Sequence, residues 1–159
     1  MHQRVRRGKQ ASNSRPTVIV LSEREAQFYE PTLREACISI TGPTRPVPLL
    51  SDRFHAVLRI AFSDVTEQTD LPGYLLFNEQ HAETILRFAR GCHDLDRVVI
   101  HCQAGLSRSP GVAMALCELF GWNGVSANWE KSHPLLNTWV RKELIRVGRA
   151  TLPQNSESL

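Results

Sequence analysis

The stretch RVVIHCQAGLSRSP, residues 97–110, decides the fold that we predict for this chain. Its apolar run at 98–100 is unbroken, which is typical of a buried strand with both faces covered by helices. Pro110 lies where the first turn of a following helix would begin, a position at which its missing amide proton costs little. A strand, a short polar loop and a helix therefore follow one another directly.

Further strands and helices alternate on both sides of this stretch. We predict strands at 17–21, 36–40 and 57–62, a helix capped by Ser22, a helix capped by Asn78 that ends near Gly91, and helices at about 125–131 and 135–147. The alternation predicts an α/β protein: a three-layer sandwich with a central, mainly parallel sheet of about four or five strands, flanked by helices.

The length of 159 residues suits one domain. We expect a basic flexible tail at 1–16, one catalytic domain at 17–150 and a polar C-terminal tail at 151–159. The first tail holds five of the 19 basic residues and none of the 16 acidic ones, namely Arg4, Arg6, Arg7, Lys9 and Arg15. The rest of the chain is slightly acidic, so any binding to nucleic acid would have to come from this tail.

Four scattered cysteines show neither the paired spacing of a zinc site nor the density of a disulfide scaffold. No apolar run approaches the length of a membrane span, and no signal-peptide apolar region follows the basic start. We therefore expect a cytoplasmic protein that does not bind membranes. Cys37 and Cys117 fit the core, whereas Cys92 could in principle form a disulfide with Cys102, so redox regulation through Cys92 or Cys37 stays open.

Within the decisive stretch, Cys102 is followed by five short or polar residues, Arg108 and a helix. Gly105 lets the loop curl so that successive backbone amides point inward, and the helix adds the positive end of its dipole. Arg108 can hold two oxygens of a phosphate group with its planar guanidinium. The spacing thus favours a pocket for a phosphate monoester.

The same surroundings act on the thiol of Cys102. Amide donors, a helix start and Arg108 together stabilise the thiolate form, which is the nucleophile. Ser109 could donate a hydrogen bond to the sulfur and so ease its departure when water attacks a phosphocysteine. His101 is expected to support the loop by hydrogen bonding rather than to carry a proton.

Residues 101–109 resemble the HCxxGxxRS signature of the protein tyrosine and dual-specificity phosphatase superfamily, and the chain looks similar to its compact bacterial or phage members. The resemblance implies the phosphotyrosine protein phosphatase II-like fold over about 17–150 and catalysis without a metal or another cofactor. It also implies a phosphate-binding loop made of Gln103, Ala104, Gly105, Leu106, Ser107 and Arg108.

The leaving oxygen needs a proton, which an aspartic acid on a nearby loop commonly supplies. In families that resemble this one the acid comes directly after a strand. That strand is followed by a helix and then by the strand that carries the cysteine, and Asp64 has this position. Asp70 is 32 residues before Cys102 and Asp64 is 38, so a count without a loop insertion favours Asp70. We choose Asp64 and keep Asp70 and Glu67 as alternatives.

These residues predict a phosphatase that hydrolyses phosphotyrosine in a phosphorylated protein or peptide, and they leave open whether it also acts on phosphoserine or phosphothreonine. We expect a monomer. Two alternatives stay open: the same chemistry on a phosphoinositide, a nucleotide or an RNA 5′ phosphate, and a phosphate-binding module without turnover. The loop contains no lysine that would favour a multiply charged substrate.

Overall fold

The computed structural model describes residues 14–151 of the chain. Most of the predicted basic tail and all but the first residue of the predicted C-terminal tail lie outside the described residues, so both tails stay predictions. Of the basic tail, residues 14–16 are described. There the Arg15 guanidinium donates to the Phe120 carbonyl, and the Arg15 carbonyl accepts from Asn123 Nδ2 at 3.2 Å.

Strands and helices alternate as the sequence predicts. The elements are β1 (Thr17–Ser22), α1 (Glu23–Phe28), β2 (Glu35–Thr41), β3 (Ala56–Ala61), α2 (Glu79–Arg90), β4 (Arg97–Cys102), α3 (Arg108–Phe120), α4 (Trp129–Ser132) and α5 (Thr138–Thr151). The sheet has the order β1-β4-β2-β3, and all three neighbouring pairs run parallel. The predicted α/β fold with a parallel sheet of four strands is confirmed.

The two faces of the sheet are covered unequally. Side chains alternate between faces along each strand, so Val98 and Ile100 join the large core beneath α2, α3 and α5, whereas Val99 points the other way. On that second face Val99 and Cys37 pack with Phe54 of the β2–β3 connection, while α1 contacts β1 and β4. The third layer is therefore one short helix and a loop.

The last two helices differ from the prediction in their bounds. The segment predicted as a helix at about 125–131 forms only α4, since Gly124 has a φ of +108° and the residues after it turn before the helix starts. The final helix begins at Thr138 rather than near residue 135, because the Asn137 side chain accepts a hydrogen bond from Val140 N at 3.0 Å and caps it. No helix among residues 14–151 is long and apolar enough to cross a membrane.

Because every strand pair is parallel, the carboxyl ends of the strands meet at one edge of the sheet. The loop after β4, the junction of β1 with α1 and the connections that follow β2 and β3 all start there. Open α/β sheets bind their ligands at this edge. The topology thus brings segments that are far apart in the chain around Cys102.

Candidate active site

The loop 103–107 packs tightly against the junction of β1 and α1. Gly105 has a φ of +71°, and a Cβ there would lie 2.8 Å from Ser22 N, so both the backbone conformation and the close approach require glycine. The Gln103 carbonyl accepts from Glu23 N at 3.1 Å. The curl of the loop is therefore fixed by its neighbours as well as by its own sequence.

Cys102 is the last residue of β4 and lies buried beneath the loop. Its Sγ is 3.1 Å from Ser109 Oγ, which is buried in the first turn of α3. The hydroxyl of Ser107, at the N-cap of α3, makes no capping hydrogen bond. The sulfur therefore lies beside the start of a 13-residue helix whose N-terminal amides are not capped by a side chain.

Arg108 is buried, with 6% of its surface exposed, although it carries a full charge. Its Nη1 donates to the Phe62 carbonyl at 2.8 Å, whereas its Nε is buried without a hydrogen-bond partner. No carboxylate among residues 14–151 forms an ion pair with it. The guanidinium edge formed by Nε and Nη2, which binds oxyanions side-on, is thus left for a ligand.

His101 faces the opposite side of the sheet from Cys102. Its Nε2 lies 2.6 Å from Ser39 Oγ and its Nδ1 lies 3.3 Å from the Cys102 carbonyl oxygen. A carbonyl can only accept, so Nδ1 carries the proton and Nε2 accepts from the Ser39 hydroxyl. Burial lowers the pKa of His101, against the opposing effect of its bond to the Cys102 carbonyl. A neutral histidine with both nitrogens occupied supports the loop from below.

Asp64 lies on the connection between β3 and α2, directly beside the loop. Its Oδ1 accepts from Ser107 Oγ at 2.7 Å and from Asn137 Nδ2 at 2.9 Å. Its other carboxyl oxygen makes no hydrogen bond to the described residues. One oxygen thus anchors the side chain, and the other is available to a substrate.

The base of this connection is closed one residue before Asp64. Ser63 N donates to the Leu75 carbonyl, and Leu75 N donates to Ser63 Oγ, both at 2.8 Å. Asp64 follows this closure at once, whereas Asp70 lies six residues further along the loop; both side chains are exposed. The structure therefore brings Asp64 to the loop 103–107 through Ser107, whereas Asp70 forms no hydrogen bond with the described residues of that loop and Glu67 lines a neighbouring cleft.

Asn137 is a site residue that the sequence analysis missed. It is buried, caps α5 through Oδ1, and donates through Nδ2 to Asp64 and to the Val65 carbonyl. Its backbone N donates to the Ser107 carbonyl at 3.0 Å. Its preference for the N-cap position, the signal that we used for Asn78, could have located the helix start, but not the bond to Asp64 73 residues away.

Two clefts meet at Asp64. One, of about 500 Å³, is lined by Arg108, Gln103, Ser63 and Tyr74 together with the turn 42–45. The other, of about 530 Å³, is lined by residues 64–69, Ser107 and residues 135–137. A ligand whose anionic end reaches the free edge of Arg108 would occupy the first cleft and contact Asp64.

The remaining cysteines form no disulfide with Cys102. Cys92 lies five residues before β4 begins, and Cys102 is the last residue of that strand. Cys37 pairs in register with Val99 and points to the other face of the sheet. Cys37, Cys92 and Cys102 are all free cysteines in this structure. Burial also raises the pKa of Cys37 to about 12 and that of Cys92 to about 11.

The described residues contain no cluster of three or more His, Cys, Asp or Glu side chains that could hold a metal ion. The predicted site residues Cys102, Ser109, Arg108 and Asp64 instead lie together around the loop 103–107. Arg108 and Asp64 line one cleft, and the Cys102 thiol lies buried beneath the loop that leads to Arg108.

The fold of this chain is similar to that of a solved human dual-specificity phosphatase, DUSP28. A point variant of human DUSP28 matches over 85% of this chain and 91% of its own, with a TM-score of 0.51 and 18% identity. DUSP15 matches over 72% and 70%, with a TM-score of 0.45 and 24% identity. PTPMT1, solved in complex with PI(5)P, matches over 84% and 91%, with a TM-score of 0.48 and 17% identity. No family model and no curated protein matches the chain.

Proposed function

We propose that this chain is a metal-independent phosphomonoester hydrolase that acts through a phosphocysteine intermediate, as a protein tyrosine or dual-specificity phosphatase. The observation that carries the proposal is the buried Arg108 guanidinium, whose Nε has no hydrogen-bond partner, at the end of the loop that follows Cys102. A buried cation without an anionic partner is costly, and a phosphate dianion that binds the free edge would offset that cost. The fold shared with human DUSP28 supports this choice.

In the first step the Cys102 thiolate attacks phosphorus in line, so that an S–P bond forms while the P–O bond to the leaving group breaks. Arg108 and the loop amides stabilise the charge on the transferring phosphoryl oxygens. Asp64 gives a proton to the departing oxygen, so that the product leaves as an alcohol or a phenol.

In the second step water attacks the phosphocysteine. Asp64, now a carboxylate, takes a proton from the water, and the S–P bond breaks with release of inorganic phosphate. Ser109 donates its hydroxyl proton in a hydrogen bond to the sulfur, since its Oγ lies 3.1 Å from Sγ. That bond stabilises the thiolate as the leaving group and returns the site to its starting state.

The test of this proposal is hydrolysis of a small aryl phosphate in the presence of excess chelator. We expect turnover to persist, because Arg108 and the amides supply the positive charge that a metal ion would otherwise provide. Turnover that a chelator abolishes would point to a metal-dependent mechanism. Binding of the aryl phosphate without any hydrolysis would point to the non-catalytic binding module.

The role of Asp64 is tested by the dependence of the rate on the leaving group. Asp64→Asn should slow hydrolysis of a phosphotyrosine substrate, whose phenol has a pKa of about 10, by roughly 100-fold or more. An activated aryl phosphate needs the proton less, so its rate should fall less.

Asp70→Asn is the matched control, since it removes the same charge from the same loop. Asp70 makes no side-chain hydrogen bond to the described residues and lies in neither wall of the two clefts. We expect its leaving-group dependence to equal that of the wild type. If Asp70→Asn slows the phosphotyrosine substrate more than the activated aryl phosphate and Asp64→Asn does not, the assignment of the proton donor is wrong.

A further inference from the structure

The cleft beside Arg108 contains a second cation that the proposed chemistry does not use. Arg45, on the connection between β2 and β3, lines the same cleft of about 500 Å³ as Arg108 and Asp64. No described residue forms an ion pair or a side-chain hydrogen bond with its guanidinium. Its charge is therefore available to whatever enters the cleft.

Arg45 is held at the cleft wall by a short turn. Its backbone N donates to the Gly42 carbonyl at 3.2 Å, which closes the turn 42–45. The ring of Pro43 fixes the φ angle at the second position of this turn. Pro46 restricts Arg45 itself to an extended conformation. The loss of backbone entropy on binding a ligand there is correspondingly small.

The Arg45 side chain also runs along Gly42. A Cβ on Gly42 would lie 3.6 Å from Arg45 Cδ and 3.7 Å from its Cγ. The aliphatic part of the arginine thus packs over a residue that itself lines the cleft. The turn therefore directs the side chain along the wall rather than away from it.

The positively charged groups that line the cleft can bind two separate anionic groups of one ligand. The free edge of Arg108 and the loop amides serve the phosphoryl group, while Asp64 is engaged by Ser107 and Asn137. Arg45 then remains as one further cation. One cation in a cleft that also holds a carboxyl group matches a single carboxylate better than it matches the several phosphates of a polyphosphorylated headgroup.

We propose that Arg45 forms a second anion subsite, and that the preferred substrate is a phosphorylated peptide with an acidic side chain next to the phosphorylated residue. The inference rests on the proposed function, because it names the substrate class of the same site. It assigns Arg45 to specificity and leaves the chemical step to Cys102, Arg108 and Asp64.

The experiment compares two phosphotyrosine peptides that differ only in Glu or Gln on both sides of the phosphotyrosine. We expect the wild-type kcat/KM to be about fivefold higher for the Glu peptide, the size expected for one partly exposed ion pair. The preference should weaken at high salt, since exposed charges are screened. Arg45→Gln should remove it, whereas Arg53→Gln, an exposed arginine of the same connection outside the cleft, should keep it.

A wild-type enzyme without preference for the Glu peptide would overturn the inference. So would an Arg45→Gln variant that loses the same factor on both peptides, because Arg45 would then act on the phosphoryl group itself. A phosphoinositide with a higher kcat/KM than either peptide would overturn the proposal that the preferred substrate is a peptide. Loss of the proposed function is recognised separately, as failure to hydrolyse any aryl phosphate.

The affinity of Cys102→Ser for the same two peptides provides a readout that does not need turnover. Titration calorimetry should show the same fivefold preference for the Glu peptide, and the double variant with Arg45→Gln should lack it. Equal affinities of Cys102→Ser for the two peptides would contradict the subsite even if the catalytic assay were ambiguous.

Discussion

Cys102→Ser is expected to lower the rate of aryl phosphate hydrolysis by roughly 10⁴-fold or more, while the variant still binds the substrate. A serine hydroxyl must lose its proton before it can attack, and among residues 14–151 no carboxylate or imidazole forms a hydrogen bond with the sulfur that it would replace. Both nitrogens of His101 are engaged, one with Ser39 and one with the Cys102 carbonyl. The Ser109 hydroxyl, which lies 3.1 Å from the Cys102 sulfur, is not a base.

Binding should survive in Cys102→Ser because Arg108 and the loop amides are untouched. Single-turnover kinetics measures the loss of rate, and calorimetric titration with the aryl phosphate measures the retained affinity. Cys117→Ser is the matched control: it lies on α3, its thiol contacts the Asn123 carbonyl at 3.7 Å, and a hydroxyl can make the same contact. Retained turnover in Cys102→Ser would refute the assignment of Cys102 as the nucleophile.

The catalytic loop could be predicted because its determinants are local. The apolar strand, Gly105, Arg108 and the helix start all lie within one short stretch, and each has a direct consequence for the backbone or for an anion. The capped helices α1 and α2 were predictable for the same reason, since Ser22 and Asn78 accept hydrogen bonds from amides two or three residues ahead.

The partners of these residues could not be predicted because they come from distant parts of the chain. Arg108 donates to the Phe62 carbonyl 46 residues away, and Asn137 reaches Asp64 across 73 residues. Hydrophobic periodicity reports which face of an element is buried, but not which loops meet at the end of a sheet. Arg45 lines the cleft because several loops meet at this end of the sheet. Apart from the prolines beside Arg45, nothing in the nearby sequence predicts this position.

The choice between Asp64 and Asp70 likewise depends on contacts that the local sequence does not reveal. A residue count treats the connection after β3 as uniform, whereas the Ser63–Leu75 hydrogen bonds close its base and leave residues 64–74 as a separate loop. Position relative to that closure determines which carboxyl group lies beside the catalytic loop. The resemblance to a family supplied this information from outside the sequence itself.

Arg108→Lys is expected to reduce kcat/KM for an aryl phosphate by about 10³-fold, although the charge is kept. The arginine serves two directions at once: Nη1 donates to the Phe62 carbonyl at 2.8 Å, and the edge formed by Nε and Nη2 remains for the phosphoryl group. A lysine has one nitrogen on a flexible stem, so it cannot hold the carbonyl and also present two parallel N–H groups. Loss of one preorganised donor alone costs about 10²–10³-fold, and here a pair is lost.

The measurement is kcat/KM for the aryl phosphate together with the affinity for inorganic phosphate, with Arg59→Lys as the control on an exposed position of β3. Because Phe62 lies two residues before Asp64, Arg108→Lys also removes the bond that ties the catalytic loop to the start of the acid loop. The rate of the variant should therefore depend more strongly on the leaving group than that of the wild type, in addition to being lower. If Arg108→Lys stays within tenfold of the wild type, Arg108 is not the phosphate ligand, and the free guanidinium edge has another role.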